Sequence, residues 1–460
     1  MQQLKPKYNL LTAICLVVGI VVGTGIFFKA GDVLKEVNGN LSLSIIAWLI
    51  GGAIMLISSY NFANISIAYG NVHSMTDYAR VSISRKYGFI VGVFAKYIYF
   101  PSMTSTVSFV VGMYFCQTLD LTQGAFPFSG YVFLFAFLFL TILVVLNIFG
   151  PIIAAKLQIS TTLVKMVPLL LMGIVGIIAG ITNGTLSSNF DYVGSSTASG
   201  SGLLGAVCVT AFSYEGWICA TNIGGEIKNR SKNLPLALII GSIIVIGIYI
   251  LYNIGISGAI KTGAILDGAS ASESVRIAFA NLFGTTFANI LIIIVVISAI
   301  GTLNGLVIAN SRSAYALAIN EQGLFQEQMT KVTVKHNVPI TSSIFGYIIT
   351  ICWLAYYYFS QTNSKANGIG FPFDSSELPI ITTYFLYIPM FIAFMVKKEN
   401  NIFKRFVMPT LGVIAASFMI FAACYRHKIT TVYYLIFFTV VIIIALIVEQ
   451  LRLKKSKLKE

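Results

Sequence analysis

Apolar stretches of about 20 residues recur along the whole chain and are separated by short loops that carry most of its charge. An α-helix of about 20 mostly apolar residues crosses the hydrocarbon core of a bilayer. Backbone polar groups in lipid must be paired within the protein, and these stretches are too long for the strands of a membrane barrel. The pattern therefore predicts an all-α, polytopic bundle of membrane helices.

Twelve stretches qualify, and together they predict a single transmembrane domain over residues 1–460. They lie at about 9–28, 43–63, 88–117, 130–150, 155–182, 203–226, 234–259, 282–318, 339–359, 378–396, 406–424 and 430–450. The third and eighth are long enough to suggest tilted helices or helices that extend past the bilayer.

Composition excludes several classes of protein. Only 10% of the 460 residues are charged and 57% are hydrophobic, whereas about a quarter of an average soluble domain is charged. A soluble enzyme, a coiled coil and a disordered chain are therefore excluded for the bulk of the sequence. The net charge of +14 comes from short basic runs between apolar stretches, and no basic face for nucleic acid is visible.

The side on which these basic residues lie predicts the orientation. When twelve spans are threaded through a bilayer, most of the 30 Lys and Arg residues fall on one side. Cytoplasmic loops carry such an excess. We expect a multi-pass protein of the cytoplasmic membrane, embedded in the lipid bilayer, with both termini in the cytoplasm.

Cysteines and histidines give no sign of a metal or cofactor site. The six cysteines lie in or beside apolar stretches without CxxC spacing, and the three histidines are far apart. No cluster of His, Cys and carboxylates is visible at one membrane face, so we do not expect an enzyme. A channel is not indicated either, because repeated filter loops and charged pore rings are not visible.

Two of the apolar stretches carry glycines in their interiors. The first contains Gly19, Gly23 and Gly25, and the sixth contains Gly216 directly after Glu215. Glycine in a helix interior costs about 1 kcal/mol relative to alanine. Gly19 and Gly23 alone also fit a close helix–helix contact of the GxxxG kind. Interruptions near the middle of two spans, five helices apart, instead indicate the binding site of a transporter built from inverted repeats.

A helix break at this depth frees backbone groups that bind ions. The first span runs outwards, so its outer half begins near residues 24–26 and presents free N–H groups at a positive helix end, which favour a carboxylate. The sixth span runs inwards, so its outer half ends near residues 211–213 and presents carbonyl oxygens, which favour an ammonium group. A free L-amino acid carries both groups and is the predicted substrate.

The predicted substrate-binding residues follow from this geometry. They are Val21, Gly23, Thr24, Gly25, Ile26, Phe212, Ser213 and Glu215. Phe212 is expected to cover the substrate, and Val21, Thr24 and Ser213 to line the side-chain pocket. Small Thr24 and Ser213 beside large Phe212 favour neutral amino acids with small or medium side chains. Glu215 either bonds freed backbone donors or favours ammonium-rich substrates.

The residues around both breaks resemble the amino acid/polyamine/organocation superfamily and, within it, the L-amino acid transporter family. Residues 23–27 match its first-helix motif G-[ST]-G-I-F, and residues 212–217 match the sixth-helix motif F-x-Y-x-G-W. Residues 226–235 resemble its loop E-I-K-N-P-x-K-N-L-P, with Arg230 in place of the first proline. The similarity extends to about residue 340. Residues 70–78 depart from the family pattern P-K-S-G-G-E-Y, which affects the inner gate rather than the pocket.

The resemblance implies a LeuT-type fold, with five helices, five more of inverted topology and two additional helices. Repeat one would cover about 9–182, repeat two about 203–396, and the additional helices about 406–450. It also implies alternating-access exchange, as in bacterial exchangers of serine and threonine or of alanine, serine and cysteine. A proton-coupled symporter and a non-transporting amino acid sensor remain alternatives.

Lys165 lies about midway along the fifth stretch, where a lysine costs roughly 2.5–3.5 kcal/mol. The resemblance implies that its ammonium group stands where sodium-coupled relatives bind sodium, near Gly19 and Ser298. A fixed cation there would make transport independent of sodium. Because a buried lysine can also release its proton, proton coupling stays open.

Glu226 and Arg312 lie at the cytoplasmic ends of the sixth and eighth stretches and are possible gate residues, together with Trp217. A solvated Glu226–Arg312 ion pair worth under about 1 kcal/mol is the alternative. No cysteine is evident for a disulfide to a heavy chain, so a heavy-chain partner is not expected.

Overall fold

A computed structural model describes residues 6, 8–69, 74–119, 121, 130–192, 201–222, 226–262, 271–333, 337–363, 373, 375–397 and 401–457. Within these residues the chain is almost entirely helical, and its one pair of bridged extended residues is Tyr8 and Ile227. Residues 70–73 of the segment that departs from the family pattern lie outside the described part of the chain.

The helices follow one another along the chain with short connections. They are α1 (Leu10–Val21), α2 (Thr24–Glu36), α3 (Leu41–Tyr69), α4 (Met75–Ser82), α5 (Arg85–Phe94), a π-helical segment (Ala95–Tyr99), α6 (Phe100–Thr118), α7 (Gly130–Phe149), α8 (Pro151–Thr182), α9 (Thr185–Asp191), α10 (Ser201–Tyr214), α11 (Cys219–Asn222), α12 (Arg230–Ala259), α13 (Ala271–Phe283), α14 (Thr285–Ala318), α15 (Gln326–Met329), α16 (Ile340–Asn363), α17 (Leu378–Val396), a second π-helical segment (Phe403–Val407), α18 (Met408–His427) and α19 (Ile429–Lys457).

Eleven helical segments of the described chain are long and apolar enough to cross a membrane, which confirms a polytopic helical protein. The stretch that we predicted at 88–117 is not among them. It is helical from Arg85 to Thr118, but hydroxyl residues such as Thr104 and Ser105 are buried along it. Their hydroxyls donate to carbonyl oxygens of Phe100 and Ser102 at 2.6 and 2.7 Å. A helix in the interior of the bundle can be more polar because it has little contact with lipid.

The π-helical segment of this helix has a local cause. Pro101 is the second residue after it and has no backbone N–H to donate, so one bond of the regular ladder is lost. A wider turn at that point keeps the helix continuous. The segment turns Tyr99 towards the centre of the bundle, where its side chain is fully buried.

Close packing of α8 against α12 depends on glycines. A Cβ atom added at Gly176 would collide with the Gly255 carbonyl oxygen, and one added at Gly180 would collide with the Gly258 backbone. Small residues let membrane helices approach through their backbones. This contact holds α12 in place. Helix α12 has no break, and the interrupted helices pack against it.

Candidate functional site

The first predicted break is present between α1 and α2. Helix α1 ends at Val21, and α2 begins at Thr24 after Gly23, whose φ and ψ are −134° and −145°. The first N–H groups of a helix have no partner inside it, so those at the start of α2 are available to a ligand. The backbone therefore offers donors at the position that the sequence indicated for a carboxylate.

The second predicted break follows α10. This helix ends at Tyr214, Gly216 adopts a φ of +107°, and helical geometry resumes only at Cys219. Turn bonds such as Cys219 N–H to Gly216 O at 3.0 Å replace the regular ladder. A positive φ of this size favours glycine, which explains why the turn lies there.

The two breaks lie directly against each other. A Cβ atom added at Gly25 would lie 2.8 Å from the Ser213 Cα atom, so only glycine allows this approach. A small cavity of about 20 Å³ lies beside the contact. It is lined by Ile20, Val21, Gly23, Gly25, Met103, Val107, Phe212, Glu215, Gly216, Thr302 and Leu306.

This lining includes most of the predicted binding residues and adds others. Ile26 and Ser213 are fully buried but do not line the cavity, and the Thr24 side chain lies outside the described part of the structure. Met103, Val107 and Leu306 had no sequence signal because apolar residues fill every span. Thr302 was distinguishable only by its position one turn after Ser298.

Lys165 extends from α8 to the inner side of the first break. Its Nζ donates to the Gly19 carbonyl oxygen and lies 3.5 Å from the Thr302 hydroxyl, and the residue is fully buried. Ser298, its other predicted neighbour, is buried with no hydrogen-bond partner for its hydroxyl among the described residues. The ammonium group thus bonds the carbonyl end of α1, and Thr302 takes the place expected for Ser298.

Glu215 places a carboxylate at the edge of the cavity. Its Oε1 accepts a hydrogen bond from the Tyr99 hydroxyl, and only 5% of the residue is exposed. The Gly216 N–H also bonds this carboxylate. The side chain therefore supports the unwound turn, as one of the two sequence interpretations expected, and it also borders the space for a ligand.

Phe212 lines the cavity, and beside it, on the side expected to face outwards, lies a cluster of charges that we call the outer cluster (Lys29, Glu377, Arg426 and His427). Glu377 Oε1 lies 3.0 Å from Lys29 Nζ, and Glu377 Oε2 lies 2.9 Å from His427 Nε2 and 3.5 Å from Arg426 Nη1. Lys29 Nζ is 5.8 Å from the Phe212 ring centre. The outer cluster thus joins α2 to the ends of α17 and α18.

The electrostatics of Glu377 follow from this arrangement. Burial alone would raise the pKa of its carboxyl, but the charge of Lys29, the hydrogen bond with His427 and the charge of Arg426 together hold the pKa well below its usual range. Glu377 is therefore ionised at every physiological pH. The Cys208 thiol also approaches, and its sulfur lies within 4.8 Å of ligand atoms of Glu377 and His427. The spacing of these residues in the sequence did not indicate this grouping.

Glu226 and Arg312, which we call the inner pair, lie at helix ends that are expected to face the cytoplasm. Arg312 Nε donates to Glu226 Oε1 at 2.5 Å, and the two side chains are 4% and 0% exposed. The alternative of a solvated ion pair is therefore wrong, because both side chains are buried. Tyr8 covers the pair through backbone bonds of 2.8 Å to Glu226 O and from Lys228 N–H.

Trp217 directly follows Gly216, which lines the cavity. It is 1% exposed and packs edge-on against Phe62 at 5.6 Å and at a tilt against Tyr387 at 6.0 Å between ring centres. The three predicted gate residues are thus all buried, and their role in gating stays a prediction.

Comparisons with known proteins agree with this architecture. The amino acid permease family model matches residues 8–448. The chain is 26% identical over 426 residues to the serine/threonine exchanger SteT of Bacillus subtilis, with 91% of each chain covered. It is 25% identical to the human cystine/glutamate transporter, over 76% of this chain and 68% of that protein. It is also 25% identical to the human large neutral amino acids transporter small subunit 2, over 80% and 67%. The chain belongs to the amino acid permease family.

Proposed function

We propose that this protein exchanges neutral L-amino acids with small or medium side chains across the cytoplasmic membrane by alternating access. The observation that carries the proposal is the contact between two helix breaks beside one cavity, with free N–H groups on α2. A zwitterion bound there would place its carboxylate at the start of α2 and its ammonium group at the carbonyl end of α10. The family match and the exchanger among the relatives support transport by exchange.

In the proposed cycle, Phe212 and the outer cluster close the cavity towards the outside, and Trp217 and the inner pair close it towards the cytoplasm. The short ion-pair distances and the burial of these residues support this assignment. Within the proposal, the repeat at about 9–182 and the repeat at about 203–396 move relative to each other. The additional helices at about 406–450 follow the second repeat. The excess of Lys and Arg in alternate loops supports cytoplasmic termini.

Lys165 supports independence from sodium. Its ammonium group bonds the Gly19 carbonyl oxygen, so a fixed cation already satisfies the carbonyl end of α1. The same lysine leaves proton-coupled symport as a second candidate, because a buried ammonium next to the pocket can exchange its proton. We propose that the chain acts without a heavy-chain partner.

Uptake of radiolabelled serine into proteoliposomes tests the function. Exchange predicts uptake that requires internal amino acid and does not change with a sodium gradient. Symport predicts uptake into empty vesicles that follows an inward proton gradient. Binding of serine without any flux would support a sensor and contradict both transport modes.

Substitution of Lys165 tests the coupling site. Lys165→Ala removes the cation at Gly19 and is expected to abolish uptake. Lys156→Ala on the same helix is the matched control, since Lys156 is exposed and should leave uptake unchanged. Unchanged uptake in Lys165→Ala would contradict both the sodium-replacing and the proton-coupling role.

A further inference from the structure

The outer cluster lies beside a set of side chains that zinc-type metals bind. Cys208, Glu377 and His427 bring one sulfur, one oxygen and one nitrogen atom within 4.8 Å of one another. In the part of the chain that the structure describes, no other three Cys, His or carboxylate groups approach in this way. Thiolate, imidazole and carboxylate are the usual protein ligands of Zn²⁺. The grouping therefore indicates a metal site that the spacing in the sequence did not show.

The distances allow all three groups to reach one ion. Zn²⁺ binds sulfur at about 2.3 Å and nitrogen or oxygen at about 2.0–2.2 Å in a tetrahedron, so its ligand atoms lie roughly 3.3–3.7 Å apart. Glu377 Oε2 and His427 Nε2 are 2.9 Å apart, and the Cys208 sulfur lies within 4.8 Å of a Glu377 oxygen and of a His427 nitrogen. Side-chain movements of about 1 Å complete this geometry and leave a fourth position for water.

Two basic residues compete with a metal for Glu377, and both have other partners. Lys29 Nζ and Arg426 Nη1 lie 3.0 and 3.5 Å from Glu377 oxygen atoms. Arg426 Nη2 is also 3.7 Å from Glu36 Oε1, and the charge of Asp32 attracts both basic residues. Because these two carboxylates keep the basic groups compensated, a metal can take Glu377 without leaving an isolated buried charge. The cysteine thiol releases its proton to solvent on binding and adds a negative charge at the metal.

The three ligands belong to different helices around the second break. Cys208 lies on α10, Glu377 directly precedes α17, and His427 ends α18. Helix α10 leads into the break and carries Phe212, which lines the cavity. The His427 side chain is 12% exposed and gives an ion access, whereas Cys208 and Glu377 are buried. A bound ion would therefore tie the outer half of the sixth span to α17 and α18.

We propose that Zn²⁺ binds Cys208, Glu377 and His427 and holds α10 against α17 and α18, which blocks amino acid uptake. The block of uptake rests on the proposed function, because a site that opens and closes must move α10 relative to its neighbours. Binding of the metal does not rest on it. The site is thus a point at which a metal ion on the outer side controls the protein.

Titration of the purified, reduced protein with Co²⁺ tests the site without any transport. A thiolate ligand gives Co²⁺ a sulfur-to-metal charge-transfer absorption, which water, imidazole and carboxylate ligands do not give. We expect this absorption in the wild type and its loss in Cys208→Ser. Cys424→Ser is the matched control and should keep it, because Cys424 lies one turn before His427 on α18, is exposed and does not belong to the group.

Displacement of Co²⁺ by Zn²⁺ measures the affinity. His427→Gln should weaken Zn²⁺ binding at least about tenfold, since even residues that only orient metal ligands contribute about 10- to 100-fold. His427 is partly exposed, so this variant tests the site even if Cys208→Ser does not fold. Zn²⁺ added outside serine-loaded proteoliposomes should reduce serine uptake by the wild type and Cys424→Ser, and should need at least about tenfold more metal to do so in His427→Gln.

These outcomes separate the metal site from the proposed function. Absence of the charge-transfer absorption in the wild type, its persistence in Cys208→Ser, or unchanged Zn²⁺ affinity in His427→Gln would overturn the site. Bound Zn²⁺ that leaves serine uptake by the wild type unchanged would overturn the block of uptake. An absorption that depends on Cys208 in a protein whose wild type takes up no amino acid would support the metal site and contradict the proposed function instead.

Discussion

The inner pair and the outer cluster are held together by different kinds of interaction. On the inner side, Arg312 and Glu226 form one buried ion pair that a backbone bridge from Tyr8 covers. On the outer side, Glu377 is shared among Lys29, His427 and Arg426, and Arg426 Nη2 also lies 3.7 Å from Glu36. The basic residues around the buried Glu377 are 12–27% exposed, whereas both members of the inner pair are buried.

This difference predicts unequal costs of opening. Separation of a buried ion pair leaves each charge in a medium that solvates it poorly. Separation of partly exposed charges costs less, because water and neighbouring carboxylates replace the lost contact. We therefore expect the outer side to open more readily than the inner side.

Removal of Arg312 should have the largest effect. Arg312→Met leaves the Glu226 carboxylate buried without its ion-pair partner, which should lower the free energy of unfolding by about 3–5 kcal/mol. The measurement is the melting temperature of the purified protein. Replacement of both partners, with Glu226→Leu added, should recover most of the loss. A single variant as stable as the wild type would show that the inner pair is not the stronger closure.

Removal of the charge at the outer cluster should have a smaller effect. Glu377→Gln keeps the shape of the side chain but weakens the contacts with Lys29, His427 and Arg426, for an expected loss of about 1–3 kcal/mol. The same melting measurement allows direct comparison with Arg312→Met. A larger loss in Glu377→Gln than in Arg312→Met would reverse the ranking of the two closures.

Low pH should weaken the outer cluster. Because the pKa of Glu377 is lowered in the folded protein, its stabilisation is present above the unfolded pKa of about 4.3 and is lost as the pH falls towards the folded pKa. We expect the difference in melting temperature between the wild type and Glu377→Gln to persist from about pH 8 to pH 5 and to shrink below about pH 4.

The same titration in a His427→Gln background removes any contribution from protonation of the histidine. Melting temperatures are compared there with and without the Glu377→Gln substitution. A difference between these two proteins that disappears already near neutral pH would contradict the lowered pKa of Glu377.

The smallest effect is expected at Tyr8. Tyr8→Phe keeps both backbone bonds to residues 226 and 228, so the free energy of unfolding should change by no more than about 1 kcal/mol. The melting temperature should stay near that of the wild type. A loss comparable to that of Arg312→Met would show that the Tyr8 hydroxyl, and not its backbone, holds the inner side closed.

Local chemistry made the breaks and the need of Lys165 for a partner predictable from the sequence, whereas Gly19 was expected as that partner from the family resemblance. Glycine at positions 23, 25 and 216 permits backbone geometry that other residues resist, and a lysine within a span needs a polar partner. The sequence could not show that Lys165 approaches the Thr302 hydroxyl rather than the Ser298 hydroxyl, because the two residues lie four positions apart on one face of a helix.

Contacts between distant parts of the chain could not be predicted in the same way. Tyr249 resembles any aromatic residue of an apolar span, and only the packing of α12 shows that its hydroxyl reaches both breaks. Glu377 and His427 meet across 50 positions, and Lys29 joins them from the other end of the protein. The outer cluster therefore required the three-dimensional arrangement.

Competition for serine uptake tests the central claim, that two helix breaks bind one zwitterion. Proteoliposomes loaded with serine would take up radiolabelled serine against unlabelled serine, its decarboxylated amine or its deaminated acid. Loss of charged hydrogen bonds worth about 1.5–3 kcal/mol predicts that each analogue competes roughly 10- to 100-fold more weakly than serine. An amine or an acid that competes as well as serine would show that the breaks do not hold both charged groups.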